Sequence, residues 1–252
     1  MNILVTGATK GIGFCIALEF IKRGHRVFGI GRNWENFSKE KFNGMFVPIK
    51  CDITDEKERE KIFNWFNEKN IDINILVNNA GIGSLGEFKN ISWEESKKII
   101  DLNITALTHM TKLFIKNLEI KKFCFDEMGI INISSTASFQ SGGPCASVYY
   151  ASKSYVKSFT LSLYEELYKK GVKVMCVCPG PVKTDFKGMK NIKKSFYIMK
   201  PEKVAEICIK DYFKGKNISV TGFINKFFVF ISKFIPQKRE LKIIHKIQKN
   251  KI

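Results

Sequence analysis

Near the amino terminus, a short apolar run over residues 3–6 passes directly into Gly7-Ala8-Thr9-Lys10-Gly11-Ile12-Gly13 and then into an amphipathic stretch reaching Arg23. No other stretch narrows the choice of fold as far. A strand, a glycine-rich turn and a helix in immediate succession open a dinucleotide-binding α/β sheet. Glycines let the backbone turn tightly and approach a pyrophosphate, and unpaired amides at the helix start carry a partial positive charge. The competing reading is a glycine turn with no ligand; the position of the run in the first strand–helix unit favours the ligand.

Strand and helix patterns alternate along the rest of the chain. Further strands are expected over residues 27–31, 45–50, 74–77, 130–133, 172–177 and 217–221, and helices over 56–68, 92–117, from Tyr149 onward, and 201–213. At 252 residues and 44% hydrophobic composition the chain can bury one large core. The expectation is a Rossmann-like, doubly wound, mainly parallel seven-stranded sheet with helices on both faces. It occupies residues 1–221, and an extension over 222–252 forms two short helices flanking Pro236, packed on the same domain.

Chemistry-bearing residues gather where strands end. Ser134 and Ser135 follow the apolar run of Ile130, Ile131 and Ile133, at the carboxyl edge where open parallel sheets bind ligands. Tyr149 and Lys153 are spaced i, i+4, which on a helix sets an ammonium beside a phenol and is expected to lower the phenol pKa. In a chain this rich in Lys the pair alone is weak, since solvated helix faces produce it by chance. Gly31 stands where an acid would bind an adenosine ribose hydroxyl, while Arg32 and Lys10 supply charge for a 2′-phosphate, so NADPH is favoured over NADH. Arg32 as a solvated loop charge is the bland alternative. Asp52, before Ile53, can accept from an adenine amino group or cap the next helix, a role Thr54 and Asp55 also fit. Asn78-Asn79-Ala80-Gly81 can satisfy backbone groups of neighbouring strands and line a cofactor floor. Asn103, in the middle of a long helical stretch, reads by propensity as a surface residue. Pro179 and Pro181 stiffen a turn at the same sheet edge, and the basic, aperiodic residues 185–200 read as a lid.

Lys and Arg outnumber Asp and Glu by 42 to 24, a formal charge of +18. The basic residues are dispersed and form no Arg-rich run, so nucleic acid is not an expected partner. The 7 cysteines include no Cys-x-x-Cys pair and read as reduced core residues. Cys176 and Cys178 share a strand face, but no second ligand pair follows, so no metal is expected. No basic-then-apolar leader and no run of about 18 apolar residues is present, which places the expected location in the cytoplasm.

Taken together, Thr6-Gly7-x-x-x-Gly11-Ile12-Gly13, Asn78-Asn79-Ala80-Gly81, Asn103, Ser135, Tyr149-x-x-x-Lys153 and Pro179-Gly180-x-Val182-x-Thr184 resemble the short-chain dehydrogenase/reductase family over residues 2–221. The gap between Gly7 and Gly11 is similar to that of its single-domain oxidoreductase branch. The resemblance implies a catalytic tetrad of Asn103, Ser135, Tyr149 and Lys153. Ser135 would hold the carbonyl oxygen and Tyr149 would donate the proton. Lys153 would lower the Tyr149 pKa and bind the nicotinamide ribose, and Asn103 would place a water that reconnects Lys153 to solvent. It implies cofactor contacts from Gly7, Thr9, Lys10, Gly11, Ile12, Gly13, Arg32, Asp52, Ile53, Asn79, Ala80, Gly81, Tyr149, Lys153, Pro179, Gly180, Val182 and Thr184. NADP(H) is the preferred cofactor and NAD(H) a permitted one; the substrate is a small carbonyl or secondary alcohol, and the assembly a homodimer or homotetramer. A non-catalytic NADPH-sensing protein is the rival, and the intact tetrad argues against it.

Two departures from the family pattern stand out. Ser135 and Tyr149 lie one residue farther apart than usual, which places an insertion at Ser141-Gly142-Gly143 and leaves Ser134 as a rival for the Ser role. The usual Asp-Gly-Gly ending is replaced by a longer tail, similar to that of reductases acting on lipophilic carbonyls. In it Phe223, Phe227, Phe230 and Phe234 form one stripe, widened by Phe228, Ile231 and Ile235 and interleaved with Lys226 and Lys233. Residues 223–235 therefore either pack on the pocket or a second subunit, or contact a membrane interface peripherally.

Overall fold

The computed structural model describes residues 1–35, 37–121, 128–184 and 198–252. Seven parallel strands form one sheet in the order β3-β2-β1-β4-β5-β6-β7. They are β1 (Asn2–Thr6), β2 (Arg26–Gly31), β3 (Phe46–Lys50), β4 (Ile75–Asn78), β5 (Gly129–Ile133), β6 (Lys173–Cys178) and β7 (Ile218–Val220). The apolar runs read from sequence are these strands, with ends moved by a residue or so. They lack alternation because both faces are covered: Leu4, Phe28, Leu76 and Ile130 face one buried cluster, and Ile3, Val27, Ile75 and Ile131 face the other. The direction of strand order reverses between β1 and β4, and such a switch point opens a crevice at the carboxyl edge.

The helices are α1 (Gly11–Ile21), α2 (Glu56–Glu68), α3 (Trp93–Ile100), α4 (Leu107–Lys121), α5 (Ser147–Tyr168), α6 (Pro201–Phe213), α7 (Phe223–Ser232) and α8 (Gln237–Lys249). The continuous helix expected over 92–117 is replaced by α3, a π-helical segment at Asp101–Ala106, and α4. One wide turn carries Asn103 inward instead of to the surface, where it is 1% exposed. The expected lid falls largely on 185–197, outside the described residues; Val182 and Met199 flank that stretch and pair with each other. Two short helices, α7 and α8, flank Pro236, and the aromatic stripe that starts on α7 is not covered by the domain: Phe223 is 84% and Phe234, just past that helix, 72% exposed.

Candidate active site

The glycine turn is held by its neighbour across the switch point. Thr6 Oγ1 accepts from the Asn79 and Ala80 amides at 3.0 and 3.1 Å, and Asn79 Nδ2 donates to the carbonyls of Thr6 and Gly7 at 3.0 and 3.1 Å. Gly7 sits at φ 65°, and a Cβ there would lie 2.9 Å from Ala80 Cα. At Gly13 a Cβ would strike Asn79 and the Gly7 carbonyl, so glycine is required for contact between the turn and the Asn79 side chain. Ile12 is half-buried against the core. Lys10 is the extended residue before α1 and provides no side-chain cap for the first amides of that helix. Thr184 lies across from this turn, its methyl 3.4 Å from where a Cβ of Gly11 would be.

The crevice continues toward β2 and β3. A Cβ at Gly31 would collide with the Thr9 methyl and meet the Trp34 ring at 3.2 Å, so no acid fits at this position. Arg32 is exposed close enough to Asp52 to help lower its pKa. Burial would raise that pKa, but hydrogen bonds from the Thr54 amide and hydroxyl and the Arg32 charge outweigh it. The cap of α2 is Asp55, which accepts from Lys57 and Glu58. Asp52 Oδ1 is held by Thr54, and the Ile53 side chain lies in the core. The Asp52 amide donates to Glu58 and the Ile53 carbonyl accepts from Arg59, so the second carboxylate oxygen of Asp52 is the group of this pair best placed to meet an adenine. These groups fit a dinucleotide: an uncapped helix start, glycines that close approach requires, and cations in place of an acid.

At the carboxyl edge of β5 the catalytic candidates converge. Ser135 is hydrogen-bonded to the half-buried Tyr149, and Lys153 Nζ lies 5.9 Å from the Tyr149 ring centroid. Lys153 is buried and donates to the Ile133 carbonyl at 2.9 Å. A Cβ on Gly81 would fall 3.2 Å from Asn103 Oδ1 and 3.3 Å from Lys153 Nζ, so both side chains border one small space that only glycine leaves open. Asn103 Oδ1 accepts from the Ile82 amide, and its Nδ2 donates to the Ile82 carbonyl and Ser152 Oγ. Ser134 is removed as a rival, because its buried hydroxyl donates to the Lys153 carbonyl at 2.7 Å.

The electrostatics correct one expectation. Burial pushes the Tyr149 phenol up to about 12, the Ser135 hydrogen bond lowering it only in part, and burial brings the Lys153 ammonium down to about 8. The ammonium lies over the ring and is bonded to a backbone carbonyl, and desolvation of the phenol is the dominant effect on Tyr149.

Several residues here carried no local signal. The extra residue in the loop before α5 is bound to the tail: the Ser141 amide and hydroxyl donate to Glu240 Oε2, and Gln248 Nε2 donates to the Tyr150 hydroxyl at 2.6 Å. Ile244 packs with Ala137, Ala146 and Tyr150, with Tyr149 and Leu85 against them. At the other side, a Cβ on Gly180 would run into Asn225 of α7, with buried Pro179 before it. Cys176 and Cys178 face each other at 3.6 Å with no third metal ligand among the described residues. Glu56, Glu60 and His109 also lie together, but Arg59 Nε donates to His109 Nδ1 at 2.9 Å and so occupies that nitrogen.

Asn103 ties the π-helical segment to the end of β4 and to α5. Replacing it with Ala leaves the Ile82 amide and carbonyl unpaired in a half-buried place, and the expected loss is about 2 kcal/mol or more, read by urea denaturation. An unchanged midpoint would show that the three hydrogen bonds contribute nothing.

A doubly wound sheet with a Ser–Tyr–Lys–Asn cluster at its switch-point edge defines a dinucleotide-dependent α/β oxidoreductase. The short chain dehydrogenase family model matches residues 1–195, and the chain belongs to that family. Serine 3-dehydrogenase of Rhizobium radiobacter is 33% identical over 190 residues, 73% of this chain and 73% of that protein. NADP-dependent 3-hydroxy acid dehydrogenase of Escherichia coli (strain K12) is 33% identical over 187 residues, 72% of this chain and 73% of that protein. The closed form of serine dehydrogenase complexed with NADP+ superposes with TM-score 0.76 at 28% identity, covering 88% of this chain and 94% of that one. The family match ends before α7 and α8.

Proposed function

We propose that this short-chain dehydrogenase is an NADP(H)-dependent oxidoreductase that interconverts a carbonyl and a secondary alcohol, with Tyr149 as general acid and base. The observation that carries this is the convergence of Ser135, Tyr149 and Lys153 on one point at the end of β5. When bound, the nicotinamide cofactor supplies or takes up the hydride. Ser135 Oγ and the Tyr149 hydroxyl hold the carbonyl oxygen, and Tyr149 gives its proton as negative charge develops there. A phenol held near 12 is fully protonated at neutral pH, the form reduction requires. Lys153 keeps a positive charge over the Tyr149 ring and contacts the ribose, while Asn103 borders the same space and places the water that returns a proton. Following NADPH absorbance across a panel of ketones and aldehydes tests the reading; consumption is expected with a subset of them, and a panel inert at every chain length would count against it.

Arg32, with Lys10, accounts for the cofactor preference, and the Thr9 methyl against Gly31 explains why no acid competes. With about 1.5 kcal/mol from a charge-assisted contact, NADPH is expected to bind more than about tenfold tighter than NADH, and Arg32→Ala to erase most of that ratio. Equal affinities by titration of the parent would place Arg32 in solvent. A cytoplasmic location fits the described cysteines, all of them buried free thiols. The assembly in this reading is a homodimer or homotetramer, and the tail at 223–235 either packs on the pocket or a second subunit or makes a peripheral membrane contact.

A further inference from the structure

The catalytic reading leaves one large surface unused, that of α7 and α8. Asn225 anchors α7 through a 2.7 Å bond to the Thr221 carbonyl and contact with Gly180. The face turned away carries Phe223, Phe227, Phe230 and Phe234, between 53 and 84% exposed. Phe230 and Phe234 pack edge to face at 5.2 Å, ring on ring rather than ring on domain. Helix α8 turns Glu240, Ile244 and Gln248 inward and leaves Ile243 and Ile247 about half exposed. Exposed aromatic surface of this extent marks a contact.

The charges choose the occupant. Lys226, Lys233, Lys238, Lys242, Lys246 and Lys249 stand exposed along the two helices, whereas Glu240, the sole acid after residue 221, is buried on Ser141. A two-fold contact with a second copy would set Lys226 and Lys233 against themselves in a chain of charge +18. Anionic headgroups meet the lysines, and the phenylalanines enter the acyl boundary below. No described helix is long and apolar enough to cross a membrane.

We propose that α7 and α8 dock the protein in the plane of an anionic membrane, with the catalytic cleft opening beside the acyl region, so that the substrate is a lipophilic carbonyl or alcohol drawn from the bilayer. The placement follows from what the helices touch: Asn225 meets the Gly180 turn, and Ile244 lies in the cluster that includes Tyr149 and Tyr150. The choice of substrate class rests on the oxidoreductase reading; the docking does not.

The test is sedimentation of the full chain with vesicles of phosphatidylcholine alone or mixed with phosphatidylserine, alongside turnover of a water-soluble ketone and of a long-chain ketone embedded in the mixed vesicles. The parent is expected to pellet with the mixed vesicles and to be released by salt. Phe227→Glu with Phe230→Glu is expected to lower partitioning by about tenfold or more, and Lys226→Glu with Lys233→Glu by about fivefold per lysine. The Phe variant should lose embedded-ketone turnover about in proportion while keeping that of the soluble ketone, which shows the fold intact. Parent and variants pelleting alike, or a Phe variant that only dissociates an oligomer, would overturn the docking. Undiminished turnover of the embedded ketone by a non-pelleting variant would overturn delivery from the bilayer. Tyr149→Phe separates the two readings, since it is expected to stop both reactions and pellet as the parent does.

Discussion

Tyr149→Phe is expected to lower turnover by about 10²- to 10⁴-fold and to change NADPH affinity by less than about twofold. The substitution deletes one oxygen, the atom bonded to Ser135, and leaves the ring under Lys153 Nζ and beside Tyr150. Packing is therefore conserved and only the proton donor is lost. Stopped-flow reduction and fluorescence titration of NADPH read the two quantities separately. Unchanged turnover would remove Tyr149 from the chemistry; equal loss of cofactor binding would mean that the variant disturbs the cleft.

Lys153→Met is expected to do two opposite things at once. Turnover should fall about 10²-fold or more, since the cation beside the developing phenolate is gone. Stability at neutral pH should rise by on the order of 2 kcal/mol, because the parent keeps a buried ammonium whose pKa is brought from 10.5 to about 8. The sign follows from proton counting. Between about pH 8 and 10.5 the unfolded parent binds more protons at this lysine than the folded one, so parent stability rises across that window. The advantage of Lys153→Met is thus full below pH 8 and fades above it. Thermal denaturation of both proteins across this range reads the curve, and a variant that melts below the parent at pH 7 would show that the Ile133 hydrogen bond outweighs desolvation.

How far the sequence reaches depends on whether a signal is local. The strands were legible because a parallel sheet buried on both faces demands unbroken β-branched runs, and Ile130, Ile131 and Ile133 have no other ready use. The glycine turn was legible from its spacing between a strand and a helix, although the contacts that demand glycine at Gly7 and Gly13 come largely from Asn79 and Ala80 across the switch point. Asn103 was misjudged as a surface residue because propensity treats a helix as uniform, and one wide turn between α3 and α4 redirects its side chain to Ile82 and Ser152. The Tyr149 pKa was misjudged because spacing reveals the nearby charge and hides the burial that dominates it. The insertion before α5 could be located but not explained, since Glu240, which binds Ser141, is remote in sequence. The tail forms α7 and α8, and only the structure shows their phenylalanines uncovered.

The most direct test of the account is to give the parent NADPH carrying deuterium at the transferred position, together with a ketone identified in the panel, and to locate the label in the alcohol by mass spectrometry. The account predicts deuterium on the former carbonyl carbon with the parent and unlabelled, unreduced ketone with Tyr149→Phe. NADPH oxidised without label in the alcohol, or equal labelling by both proteins, would contradict it.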